Sequence, residues 1–217
     1  MTVGGNPRVG AGLVADHGVI IGYPSGRGGS GSVLLGKGAR LRSGTVLYHG
    51  ARIGDRFETG HHVVVREDTV IGDDVCVWSN SVVDYGCHIA HRVKIHSNCY
   101  LAQFTRIEHG AFLAPGVVCA NDLYPGRADS AAAMTGPTIQ AGAQIGANVT
   151  ILPFVVVGDG ALVGAGSVVT RDVPARMVAY GCPAVAVRAV DDLEPMAQRV
   201  RQVAGPGGRA RAGGGRP

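Results

Sequence analysis

Side chains able to bind, donate or move a proton recur at a fixed interval in this chain. His49, Glu67, Tyr85, Gln103 and Asn121 follow one another 18 residues apart. His62, Asn80 and Asn98 form a second series with the same interval, and Trp78 and His96 run beside it. A third series holds Asp55, Asp73, His91 and His109. Plain surface turns are expected to carry Gly, Asp, Asn and Lys, whereas the first series mixes several hydrogen-bonding chemistries. Histidine suits proton transfer because its pKa lies near neutrality. His96, in Ile95-His96-Ser97-Asn98, is the first choice for a general base, with His62 close behind. Arg66-Glu67 reads equally as a functional pair, able to orient a histidine or hold a cation, or as a simple corner ion pair.

An interval of 18 requires elements that bring the chain back to the same place. Blocks of six starting at Leu35 have Ile, Leu or Val as leader in 19 of 21 cases, running to Cys119 and resuming from Ile139 to Val169. A small or β-branched residue sits four places after each leader (Ala39, Thr45, Ala51, Val63), and only Phe57 and Leu123 break that rule. A period of six fits neither a 3.6-residue helix nor one long alternating strand. It fits a strand of about four residues followed by a corner, with leader and small residue both facing inward. Three blocks close a triangular coil of 18, and coils stack into an all-β solenoid with an aliphatic interior. Each buried leader contributes roughly 1.5–3 kcal/mol. Val9, Ala15 and Ile21 keep the spacing in an irregular first part, and residues 22–34 form a Gly/Ser-rich break.

Composition agrees with frequent turning. Of 217 residues 35 are glycine, 17% are charged and 5% aromatic. The glycines do not fall every third residue, which excludes collagen, and 31 valines argue against bulk disorder. The net charge is +4, of which +3 lies in residues 188–217. The body has no basic stripe interleaved with aromatics, so nucleic acid is not an expected partner. The five cysteines, Cys76, Cys87, Cys99, Cys119 and Cys182, lack disulfide-framework or CxxC spacing. With no apolar run near 18 residues, a soluble, cytoplasmic protein without a membrane partner is expected. The expected organisation is a solenoid over 1–187 with a loop at 122–138, a C-terminal helix over 188–204 and a flexible Gly/Arg tail over 205–217.

The repeat over about residues 9–185 resembles the hexapeptide-repeat acyltransferase family, whose fold is a left-handed parallel β-helix. That resemblance implies a homotrimer with active sites between subunits, and an acyl-CoA or acyl-carrier-protein donor rather than a permanently bound cofactor or metal. Cys119 to Ile139 is 20 residues rather than 18, and Asn121-Asp122-Leu123-Tyr124-Pro125 within it is similar to a motif of the branch that N-acetylates amino sugars on nucleotides. The similarity implies an acceptor site containing Asn121 near the reacting amine, with Asp122 and Tyr124. The expected substrate-binding set is completed by Arg66, Glu67, Tyr85, Asn98 and Gln103. Gly126-Arg127 stands where that branch often has Arg-Ser.

The segments Ile145–Pro153 and Val163–Pro174 resemble the family's C-terminal signature, which implies a donor site at Ala147, Gly164 and Ala165. Arg171 and Arg188 are expected at the phosphates of acetyl-CoA or another acyl-CoA. Tyr180-Gly181-Cys182-Pro183-Ala184 resembles the family's Gly-Asn-Pro-Ala terminator, with Cys182 where Asn is usual. The function so implied is N-acetyl transfer to an amine of a sugar or similar metabolite. O-acylation of a hydroxyl, a γ-carbonic-anhydrase-like metal site and a non-catalytic binding solenoid are the alternatives.

Overall fold

The computed structural model describes residues 2–4, 6–27 and 31–195. They form a left-handed parallel β-helix, in which each coil crosses three flat faces in turn. Face 1 has nine strands, face 2 eight and face 3 ten. Successive coils pair in parallel with an 18-residue register, as in Val64↔Val82 on face 1, Val70↔His88 on face 2 and Cys76↔Lys94 on face 3. The irregular first part is a coil of its own, with Arg8–Val9, Val14–Ala15 and Ile20–Tyr23 on the three faces.

All the leaders point inward and none is more than 5% exposed. Phe57, the large residue at a small position, is also fully buried, whereas Leu123 lies half-exposed outside the repeat. Most strands are two residues long, not four. The reason is the corner: the residue three places after every leader except Cys119 and Val169 takes a positive φ, as at Arg56 (54°), His62 (56°), Asn80 (60°) and Asn98 (61°). One left-handed residue per side ends the extended run and turns the chain onto the next face.

The excursion after Cys119 leaves from edge 1–2, the corner where face 1 meets face 2. Val118–Cys119 is on face 1, and Thr138–Ile139 is the next strand, on face 2. The 20-residue step therefore replaces one six-residue side; it is an insertion at a corner and not a stretched coil. It contains a single 3-10 turn, Ser130–Ala132.

The expected helix from residue 188 is not found where it should begin. Ala184–Ala189 is a strand that folds back antiparallel on Met177–Gly181, followed by a 3-10 turn at Val190–Asp192. Residues 196–204 of that expectation, and the tail over 205–217, lie outside the described residues. The alternating Ala184-Val185-Ala186-Val187 suits a strand, and here it covers an otherwise unpaired edge. Among the described residues no helix is long and apolar enough to cross a membrane.

Leu101 is fully buried between coils on face 1. Leu101→Ala is expected to destabilise the fold by about 2–5 kcal/mol. Denaturant unfolding should show a lower midpoint with an unchanged slope. A loss under about 0.5 kcal/mol, the ordinary surface range, would contradict its place in the interior.

Candidate active site

Edge 1–2 carries a connected polar cluster. Glu67 is 1% exposed and accepts hydrogen bonds from Arg66 Nε at 2.8 Å and Nη2 at 3.0 Å. Arg27, from the break between the first two coils, approaches Glu67 at 3.6 Å and stacks over the Tyr85 ring at 4.1 Å. Burial alone would raise the Glu67 pKa. Hydrogen bonds from Arg66, its own backbone N–H and Ser25 outweigh it and hold the carboxyl below its ordinary value. The same hydrogen bond to Glu67 raises the Arg66 pKa against the opposing effect of burial.

A second carboxylate lies one coil further on. Asp84, 5% exposed, accepts from Tyr85 N–H at 2.8 Å, the Tyr100 hydroxyl at 2.8 Å and Gln103 Nε2 at 2.6 Å. Arg66 Nη1 is 3.6 Å from it and ties the two carboxylates together. Burial, then the hydrogen bond and charge of Asp84, push the Tyr100 phenol up to about 12, so it remains a donor at neutral pH. Gln103 Oε1 in turn accepts from Asn121 Nδ2.

Part of this cluster lines an open cleft of about 560 Å3, walled by Arg27, Tyr85, Tyr100, Gln103, Asn121 and Asp122, while Arg66, Glu67 and Asp84 are not among its lining residues. Both excursions of the chain thus flank the same edge. Thr135 N–H donates to the Asn121 carbonyl and closes the loop at its base. Tyr124 is turned out of the cleft: it is 64% exposed and lines a separate hollow with Arg127 and Phe154. Asp122 spends Oδ1 on the Tyr124 N–H, an Asx turn within the loop.

The expected site residues therefore divide between two edges. Arg66, Glu67, Tyr85, Gln103, Asn121 and Asp122 come together on edge 1–2. His62, His96 and Asn98 lie on edge 3–1, at the far side of face 1, with Ala147, Gly164 and Ala165 on later coils of that same edge. His96 is half-buried against the Phe112 ring, 5.0 Å between centroids. His62 and Asn98 occupy left-handed corner positions, a conformation that by itself favours Asn. Gly164 has a packing role, because a Cβ there would lie 2.8 Å from Tyr180 Cβ. Arg171 is on edge 1–2, and Arg188 is exposed on the terminal hairpin. His91 is on edge 2–3, away from His96, and Asp73 N–H donates to its Nδ1 at 2.9 Å. Among the described residues no three His, Cys, Asp or Glu side chains gather as a metal requires.

Arg27 and Asp84 are members of the cluster that spacing did not single out. Arg27 lies in the break, outside any register. Asp84 was legible in principle, because the column one place after each face 1 leader reads Tyr48, Arg66, Asp84 and sets opposite charges one coil apart.

A family model described as bacterial transferase hexapeptide (six repeats) matches residues 50–84 and 136–171, which fall on the coils either side of the cleft. Those two stretches carry hexapeptide repeats. The chain is 32% identical over 111 residues to serine acetyltransferase 2 of Arabidopsis thaliana, covering 48% of this chain and 34% of that protein. It is 29% identical over 159 residues to the bifunctional protein GlmU of Heliobacterium modesticaldum, covering 69% and 34%. The chain thus spans about a third of the length of these curated relatives. Among solved structures, a UDP-N-acetylglucosamine acyltransferase from Campylobacter jejuni superimposes with a TM-score of 0.67 at 14% identity, over 93% of this chain and 79% of that one. An Arabidopsis UDP-N-acetylglucosamine acyltransferase gives 0.53 at 17% identity, over 94% and 79%. At such identities the likeness is one of fold.

Because the folded Glu67 pKa is depressed, its ionised form stabilises the fold above the unfolded value of about 4.3, and that contribution is lost as pH falls through the folded pKa. Glu67→Gln is therefore expected to melt below the wild type at neutral pH, with the gap closing on acidification. A gap independent of pH, followed by thermal unfolding, would show that the charge is not what matters.

Proposed function

We propose that the protein is an acyl-CoA-dependent acyltransferase, most simply an N-acetyltransferase, working as a homotrimer on a small-molecule amine. The observation that carries this reading is the polar cluster ending at Asn121, in a cleft walled by both excursions of the chain. It supplies hydrogen-bonding groups of varied chemistry at one corner of an otherwise regular solenoid. The acceptor binds there, against Gln103, Asn121 and Asp122, with Arg66 and Glu67 beneath.

The donor lies along edge 3–1, where the Ala147 and Ala165 corners carry only methyl groups and leave backbone within reach of a pantetheine arm. Within one chain the two edges are separated by the width of face 1. Its outward positions, Val46, Val64, Val82, Tyr100, Val118, Thr150 and Val168, carry no charge. Faces 2 and 3 present Arg52, Arg106, Arg40, Glu58 and Lys94 at the equivalent places. An uncharged ladder of this kind suits packing against another copy, and such packing sets edge 3–1 of one copy beside edge 1–2 of the next. His96 and the Asn121 cluster then belong to one composite site.

The amine nitrogen attacks the thioester carbonyl, and negative charge develops on the carbonyl oxygen in the tetrahedral intermediate. The attacking nitrogen gives a proton to His96, the C–S bond breaks, and the thiol leaves protonated as the amide forms. Arg171 and Arg188 are placed at the exposed end of the solenoid, where phosphate groups of a long donor can reach them.

Thiol release from acetyl-CoA should be seen with at least one member of a panel of amino sugars, amino-nucleotide sugars and simple amines. No release with any of them sinks the reading. In the same assay His96→Ala is expected to lower kcat at least about tenfold, and unchanged turnover removes His96 from the site. Light scattering should give three times the chain mass; a monomer with full activity would overturn the composite site.

A further inference from the structure

Asp84 ends a relay that decides which atom of Asn121 faces the cleft. An ionised carboxylate only accepts hydrogen bonds. Gln103 must therefore turn its Nε2 toward Asp84 and its Oε1 toward Asn121, as observed. Facing that oxygen, Asn121 must donate through Nδ2. Its Oδ1 is left without a partner among the described residues, on the wall of the cleft. Flipping both amides would set Gln103 Oε1 against a carboxylate oxygen, leaving two acceptors face to face in a largely buried place. Asp84 is itself held by Tyr85 N–H and the Tyr100 hydroxyl, with Arg66 alongside, so it has no freedom to turn away.

We propose that Asp84 is a positioning residue that sets the polarity of Asn121 through Gln103, so that the cleft offers an amide oxygen and selects a primary amine over a hydroxyl. This rests on the acyl-transfer reading and deepens it. A primary amine can donate one N–H to Asn121 Oδ1 while its lone pair is free to attack. A hydroxyl has one hydrogen; given to an amide oxygen, which is no base at neutral pH, it is withheld from the group that must remove it.

Four proteins test the relay: wild type, Asp84→Asn, Asn121→Asp and the double variant. Asn121→Asp sets a carboxylate against Gln103 Oε1. Adding Asp84→Asn frees Gln103 to reverse, since an asparagine at 84 can donate to Oε1 while Nε2 donates to the carboxylate at 121. Each single variant is expected to melt below the wild type, and the double variant to melt above Asn121→Asp alone. Losses that simply add overturn the relay, and this readout needs no turnover.

Wild type should prefer a primary amine over the matched alcohol at least about tenfold in kcat/KM. Asp84→Asn should cut that preference to less than about threefold without changing the KM for the acyl donor. An unchanged preference overturns the selection. No turnover of either acceptor overturns the acyl-transfer reading and the selection with it, while the melting temperatures still decide the relay.

Discussion

Arg66 donates its backbone N–H to Val83, Asp84 to Leu101 and Ala102 to Cys119, one coil further each time. Repeated on all three faces, this parallel ladder satisfies the main-chain polar groups that an aliphatic interior cannot. It also leaves the interior narrow, so that each side holds one large leader and one small partner. Everything polar is consequently forced outward. Chemistry in such a fold is confined to strand ends and corners, where side chains on neighbouring coils stand roughly 4.8 Å apart. That spacing is within reach of direct hydrogen bonds between long side chains, and Asn121 to Gln103 to Asp84 is the result.

The ladder alone would give three equivalent corners. They are made unequal by the two places where the chain leaves its register. Both excursions lie against edge 1–2, and Arg27 from the first covers Glu67 while residues from the second wall the cleft. A carboxylate at an open corner is solvated, as Asp55 and Asp73 are, where they cap backbone N–H groups of the preceding coil. Glu67 under Arg27 and Arg66 is in a different environment, and its charge is sustained by neighbours in place of water.

The six-residue period made the fold legible, since leader and small partner are constrained at every step and the 18-residue register follows directly. The columns Glu67, Tyr85, Gln103 and Asn121 were legible for the same reason. Features outside the period are not legible from it. The corner's left-handed residue shortens the strands, and the step from Cys119 to Ile139 counts one side, which only the pairing of Thr138–Ile139 with Arg106–Ile107 reveals. Ala184–Ala189 carries no six-residue mark, and only a short small-and-apolar alternation distinguishes it from the charged residues that follow. Arg27 acts from outside the repeat, so no spacing could place it. His96 and Asn121 were both visible as polar positions, yet their separation across face 1 depends on which corner each column occupies.

The three-sided coil also governs how the chain tolerates gain or loss of length. Adding or removing 18 residues keeps every later column on its own edge and merely changes its height. Adding or removing six rotates everything beyond that point by a third of a turn, so that Asn121 would leave the edge of Glu67 while the interior stayed equally well filled. Stability and the phase of the polar edges are therefore separate properties of this solenoid. An insertion the core accepts without loss can still scatter the cluster around its circumference.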